Sequence, residues 1–129
     1  MNNIEELLKQ VGKPYQMLDK NGKYLGCFFP MYFLYPNIPK YTLTKAEDAL
    51  YENCIDEFYK YCTEIEKEEL KKGDLLAINF KNILHVAIYY EFGKIIHIFN
   101  GRTLEIARLK MFKDFKCFRV NLWLSFFIY

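Results

Sequence analysis

The feature that most constrains this chain is a change of hydrophobic period at Lys71-Lys72-Gly73-Asp74. Before that turn, apolar residues recur at helical spacing; after it, they come in short runs of strand length. Ile4, Leu7, Leu8 and Val11 follow i, i+3, i+4, i+7, so residues 3–11 read as a short amphipathic helix stopped by Gly12 and Pro14. Leu50, Cys54, Phe58, Tyr61, Cys62 and Ile65 line one helical face, which predicts a helix over 45–66 opened by a Thr44-Lys45-Ala46-Glu47 capping box. Beyond the turn, Leu75–Phe80, Leu84–Tyr90, Lys94–Phe99, Leu104–Ala107 and Cys117–Trp123 read as strands. Helices first and strands second predict an α+β chain, N-terminal helices packed on a curled antiparallel sheet of about five strands.

At 129 residues the chain has room for one sizeable core, and no linker or repeat divides it, so residues 1–129 are read as a single domain. A hydrophobic share of 52% excludes intrinsic disorder. A formal net charge of +2 supplies no electrostatic reason for nucleic acid as a partner. The start, Met-Asn-Asn-Ile-Glu-Glu, is acidic where a signal peptide would be basic. The most apolar runs, Phe28–Tyr35 and Leu122–Tyr129, fall short of the roughly 20 residues a membrane helix needs. The expectation is cytoplasmic synthesis without membrane insertion. Cys27, Cys54, Cys62 and Cys117 show no disulfide framework, and with two histidines and no Cys-x-x-Cys pair no metal or other cofactor is expected.

Chemistry is expected where Gly12-Lys13-Pro14-Tyr15 leads, through a polar loop over 16–26, to Cys27. A second helix begins near Cys27, with Pro30 in its first turn and Pro36 and Pro39 beyond its end. A thiol at a helix start feels the partial positive charge of unpaired N–H groups, which favours thiolate. The only histidines, His85 and His97, flank a hairpin turn at Glu91-Phe92-Gly93. A three-residue loop there sets Ala87 opposite His97 and puts both histidines on one face, whereas an even-length loop separates them. A cysteine nucleophile needs a base and a group that orients the base, and Cys27, His85 and His97 would supply these in order. Residue types alone are accounted for more simply by half-buried histidines and small packed cysteines, as Cys54 and Cys62 are read.

The ordered elements Gly12-x-Pro14-Tyr15, Gly26-Cys27, Lys71-Lys72-Gly73-Asp74-Leu75-Leu76, His85-Val86-Ala87-Ile88-Tyr89-Tyr90 and Gly93-Lys94-Ile95-Ile96-His97 resemble the NlpC-type peptidases, papain-like cysteine enzymes that cut bacterial cell-wall peptides. Tyr15 and Cys27 stand twelve positions apart, as do His85 and His97, spacings that look typical of that family. The resemblance implies Cys27 as nucleophile, His85 as general base, His97 as the orienting residue and Tyr15 as a substrate or oxyanion contact. It implies a peptidoglycan stem peptide as substrate, cleaved at a γ-D-glutamyl–diamino acid bond, and delivery to the wall by a phage tail, lysis or secretion machine. The family's usual Asp-Cys-Ser-Gly is here Gly26-Cys27-Phe28-Phe29, followed by Pro30. The alternatives are an amidase or acyltransferase on the same core, or a non-catalytic assembly protein using the apolar Leu122–Tyr129 tail to bind a partner.

Overall fold

The computed structural model describes residues 3–14, 26–99 and 102–121. Tyr15, the loop over 16–25, the expected Asn100-Gly101 turn and the Leu122–Tyr129 tail lie outside the described residues.

Helix α1, Ile4–Leu8, opens on Asn3, whose side chain accepts from the Glu6 N–H at 2.9 Å while Glu6 Oε1 accepts from the Asn3 N–H at 3.4 Å. Gly12, at φ +88°, turns the chain so that its N–H donates to the Leu104 carbonyl. Pro14 then bridges Thr103. A 3-10 turn over Gly26–Phe28 runs into α2, Phe29–Leu34, with Pro30 in the first turn, where its missing N–H costs nothing.

The expected long helix over 45–66 is broken. It becomes a 3-10 turn, Ala46–Ala49, and two short helices, α3 (Tyr51–Cys54) and α4 (Asp56–Tyr61). Leu50 is extended and bridges Ile83, and the Tyr51 N–H donates to the Asn82 carbonyl, so contact with the sheet overrides the local period. The cap is shifted by one residue: Asp48, not Glu47, accepts from the Thr44 N–H, the Thr44 hydroxyl and the Lys45 N–H. Residues expected to finish the helix form β1, Cys62–Ile65, because Thr63 and Ile65 suit an extended edge strand that Arg119 and Cys117 can pair.

The remaining strands are β2 (Leu75–Phe80), β3 (Ile83–Glu91), β4 (Lys94–His97), β5 (Glu105–Arg108) and β6 (Phe115–Val120). All neighbours are antiparallel in the order β1-β6-β2-β3-β4-β5, and the sheet is open. Six strands therefore stand where about five were expected, β1 being the addition, in an α+β arrangement. The helices bury Leu7, Met31, Leu34 and Phe58 against one face, where Leu75, Ala77, Leu84, Val86, Ile88 and Phe118 meet them. The other face carries Leu76, Ile78, Ala87 and Ile95, covered by Leu109 and Phe112 from the chain joining β5 to β6. Asp74 is buried at the start of β2 and takes Arg119 of β6 in two contacts, at 3.0 and 2.8 Å.

The β3–β4 hairpin reaches its register by a different route from the one expected. The turn has two residues, Phe92 at φ +49° and Gly93 at φ +75°, the mirror-image turn that matches strand twist. Alone, this even loop would place the histidines on opposite faces. Tyr90 is an extra residue in β3, between the pairs Tyr89↔Ile95 and Glu91↔Lys94. The bulge shifts the pairing by one and restores the parity the odd loop was expected to supply.

Candidate active site

His85 and His97 share the sheet face away from the helices. His85 Nε2 lies 2.9 Å from His97 Nδ1, and both residues are buried. The shared parity of Ile88↔Ile96 brings them together, since His97 stands beside Ala87 and His85 is two positions further along the same face. Phenylalanines surround the pair. Phe99 stacks on His85 with ring centroids 4.7 Å apart, and Phe112 approaches both rings, at 5.6 and 5.8 Å. Phe80 closes the third side. Such a cage excludes water, so a charged imidazole there loses its hydration. Burial, reinforced by His97, pushes His85 down to about 3. Burial also lowers His97, against an opposing pull from Glu105. Both rings are neutral near neutral pH.

Glu105 is the residue sequence reasoning missed. It pairs with His97 across β4 and β5, and its Oε1 lies 2.9 Å from His97 Nε2. The ring N–H does not point along the line to that oxygen, so the contact is one of charge proximity more than an in-line hydrogen bond. The signal was faint: Glu105 is the one acidic residue in the expected strand Leu104–Ala107, and only the register across the loop over 98–104 sets it against His97. The three phenylalanines were legible as apolar positions but not as a cage, because Phe99 and Phe112 reach the histidines from outside the strands.

Cys27 approaches from the other side. Its helical turn packs with the helix-side core, where Leu84 and Val86 point, and Cys27 is half-buried there. The even-numbered residues of β3 turn their backbone groups toward β4, as the opposite behaviour of Tyr89 shows: its N–H and C=O bond Asp74 and Gly73 on the β2 side. Pairing with β4 runs from Ile88↔Ile96 outward, which leaves Leu84 and Val86 without strand partners on that edge among the described residues. The thiol fills the gap. Cys27 Sγ donates to the Leu84 carbonyl at 3.8 Å, and the Val86 N–H faces the sulfur.

The sulfur thus sits against the backbone on either side of His85, and no hydrogen bond joins it to the imidazole among the described residues. Burial works against the expected thiolate. Burial pushes the Cys27 thiol up to about 12, outweighing the backbone N–H groups that favour the anion. The helical start was expected to do the opposite, but a three-residue turn offers little field against the burial of the sulfur. The structure therefore brings His85, His97 and Glu105 into direct contact and brings Cys27 to the strand beneath His85, while Tyr15 is outside the described residues. The contact with His97 uses His85 Nε2, so Nδ1 is the ring nitrogen outside the histidine pair.

No cluster of three or more histidine, cysteine, aspartate or glutamate side chains suited to a metal ion occurs among the described residues. No helix among them is long and apolar enough to cross a membrane. Cys54, Cys62 and Cys117 are buried with free thiols, in keeping with small core residues. A thiol, an imidazole pair and a carboxylate behind it are side-chain types that acyl transfer can use.

A search of curated proteins finds no match to this chain. The family model for the NlpC/P60 family matches residues 12–117, a span that runs from the Gly-x-Pro-Tyr element through Cys27, His85, His97 and Glu105 into β6. The chain belongs to the NlpC/P60 family, a family of cell-wall peptidases.

Proposed function

We propose that this protein is a cysteine endopeptidase that hydrolyses peptidoglycan stem peptides, at the γ-D-glutamyl–diamino acid bond that the family resemblance implies. The observation that carries the reading is the 2.9 Å contact between His85 and His97, with the Cys27 sulfur on the backbone of the residues flanking His85. In this reading the Cys27 thiol leaves the Leu84 carbonyl and gives its proton to His85 Nδ1. The thiolate attacks the scissile carbonyl carbon, and backbone N–H groups of the Gly26–Phe28 turn, with the Tyr15 hydroxyl, receive the oxyanion. His85, now imidazolium, protonates the leaving amine as the tetrahedral intermediate collapses to a thioester. Water, deprotonated by His85, then releases the acid and the free thiol. His97 orients His85 throughout. Of the two phenylalanines that stand in place of the family's small residues, Phe28 is buried in the helix-side core and Phe29 packs against that core. Delivery to the wall by a phage particle or another export route belongs to the same proposal and rests on resemblance alone.

The test is release of stem-peptide fragments from purified peptidoglycan of several chemotypes by the wild type, Cys27→Ala and His85→Ala. Release by the wild type and loss in both variants is expected. A second reading, a fold retained for assembly without hydrolysis, is favoured by one observation: the thiol bonds a carbonyl and not an imidazole. Absence of release from every chemotype supports that reading. Release of an amine with transfer of the acyl group to an acceptor other than water supports the amidase or acyltransferase relative.

A further inference from the structure

The carboxylate behind the histidine pair has a consequence for where the protons lie. Neutral imidazole has one N–H and one lone pair, and which nitrogen holds which is set by its neighbours. His97 Nε2 is 2.9 Å from Glu105 Oε1, and its Nδ1 is 2.9 Å from His85 Nε2. A carboxylate oxygen at that distance favours, through its charge, a proton over a bare lone pair on Nε2, so Nε2 carries the proton. His97 Nδ1 is then an acceptor, and His85 Nε2 must be the donor that fills it. The remaining nitrogen of His85, Nδ1, is left with the lone pair. That is the atom a base needs.

We propose that Glu105 is a positioning residue that sets the tautomers of His97 and His85 in series and so keeps His85 Nδ1 able to accept a proton. This rests on the reading of His85 as the general base, although the tautomer assignment itself does not. Reversing the chain shows what Glu105 prevents. With Nδ1–H on His97 donating to His85 Nε2, His85 would carry its own proton on Nδ1 and could accept none from a thiol. Among the described residues the cage is made of Phe80, Phe99 and Phe112, and Glu105 is the charged group that acts on His97. Glu105 is 46% exposed, and Gln or Asp in its place keeps a polar side chain beside the buried His97 Nε2, so both variants are expected to fold.

The experiment compares the full chain with Glu105→Gln and Glu105→Asp. The side-chain amide in Glu105→Gln can present either an acceptor or a donor to His97, so it no longer selects a tautomer, while Glu105→Asp keeps the charge. Ring 15N chemical shifts at neutral pH report protonation of each nitrogen directly. The wild type is expected to show protonated Nε2 and unprotonated Nδ1 on both histidines, Glu105→Gln a mixture, and Glu105→Asp the wild-type pattern. On peptidoglycan fragments, kcat in Glu105→Gln is expected to fall roughly tenfold to a hundredfold with KM little changed, and Glu105→Asp to recover most of it. A mis-set tautomer behind a fully buried orienting carboxylate costs more, and solvent access to Glu105 moderates the loss. Protonated Nδ1 on His97 in the wild type, or wild-type shifts and kcat in Glu105→Gln, overturns the proposal. If the wild type releases nothing, or Cys27→Ala stays active, the peptidase reading fails, and the 15N shifts still decide the role of Glu105.

Discussion

Acid should unfold this protein sooner than its carboxylates alone would, because two neutral histidines are buried in an aromatic cage. An imidazole ordinarily titrates near 6.5, and burial beside His97 pushes His85 down to about 3. Below the ordinary value the unfolded chain binds a proton that the folded chain refuses until the lower value is reached. Stability from this group is therefore fully present above the unfolded value, falls as pH drops through it, and levels off near the folded value. The slope in that window is about 1.4 kcal/mol per pH unit. From about pH 7 to about pH 5, His85 alone withdraws about 2 kcal/mol, a large fraction of a typical 5–15 kcal/mol stability. His97 adds loss of the same sign, since burial lowers it too, while Glu105 opposes part of that shift. Asp48, held below the ordinary carboxylate range by the Thr44 N–H and hydroxyl, acts only at lower pH. Urea unfolding followed by far-UV circular dichroism at the two pH values measures the loss. The double variant His85→Phe with His97→Leu, which removes both titrating groups from the cage, is expected to lose little. A wild-type loss under about 0.5 kcal/mol, or an equal loss in the double variant, refutes the reasoning. So does a His85 ring resonance titrating near its ordinary value, a measurement that holds even if the double variant does not fold.

Two other outcomes follow from the described contacts. Because burial pushes the Cys27 thiol up to about 12 and the sulfur bonds Leu84, alkylation by iodoacetamide at neutral pH should be slower than that of a free-cysteine peptide and should rise steadily with pH; fast labelling at mildly acidic pH would show a thiolate–imidazolium pair instead. Arg119→Met keeps the apolar stem but strands the buried Asp74 carboxylate, so it should cost roughly 2–3 kcal/mol, less than for a fully buried pair because Arg119 is partly exposed, and adding Asp74→Asn should recover part of the loss in urea titrations.

Much of this architecture was legible along the chain. The change of period at Gly73-Asp74 separated the helices from every strand but β1, and the strands after it occupy nearly the residues expected, because alternation and turn residues are local signals. The histidine pair was legible as a conditional on loop parity, and the condition was met by a bulge at Tyr90 that no local rule announced. The helix expected over 45–66 failed for the opposite reason. Its residues satisfy a helical period, but an edge of the sheet was open to Cys62–Ile65, and pairing with β6 outweighed one more helical turn.

The sequence by itself determined the family, the order of elements and the residues from which a Cys-His-His site could be built, since these depend on residue type and spacing. Only the tertiary structure decided how those residues stand to one another. Sheet parity put the histidines on one face and the Cys27 turn on the other, and the end of β3–β4 pairing opened the edge where the thiol meets the Leu84 carbonyl. Register between β4 and β5 set Glu105 behind His97. Desolvation, which depends on everything packed around a group, then overruled the field of the helical turn and kept thiol and imidazoles neutral.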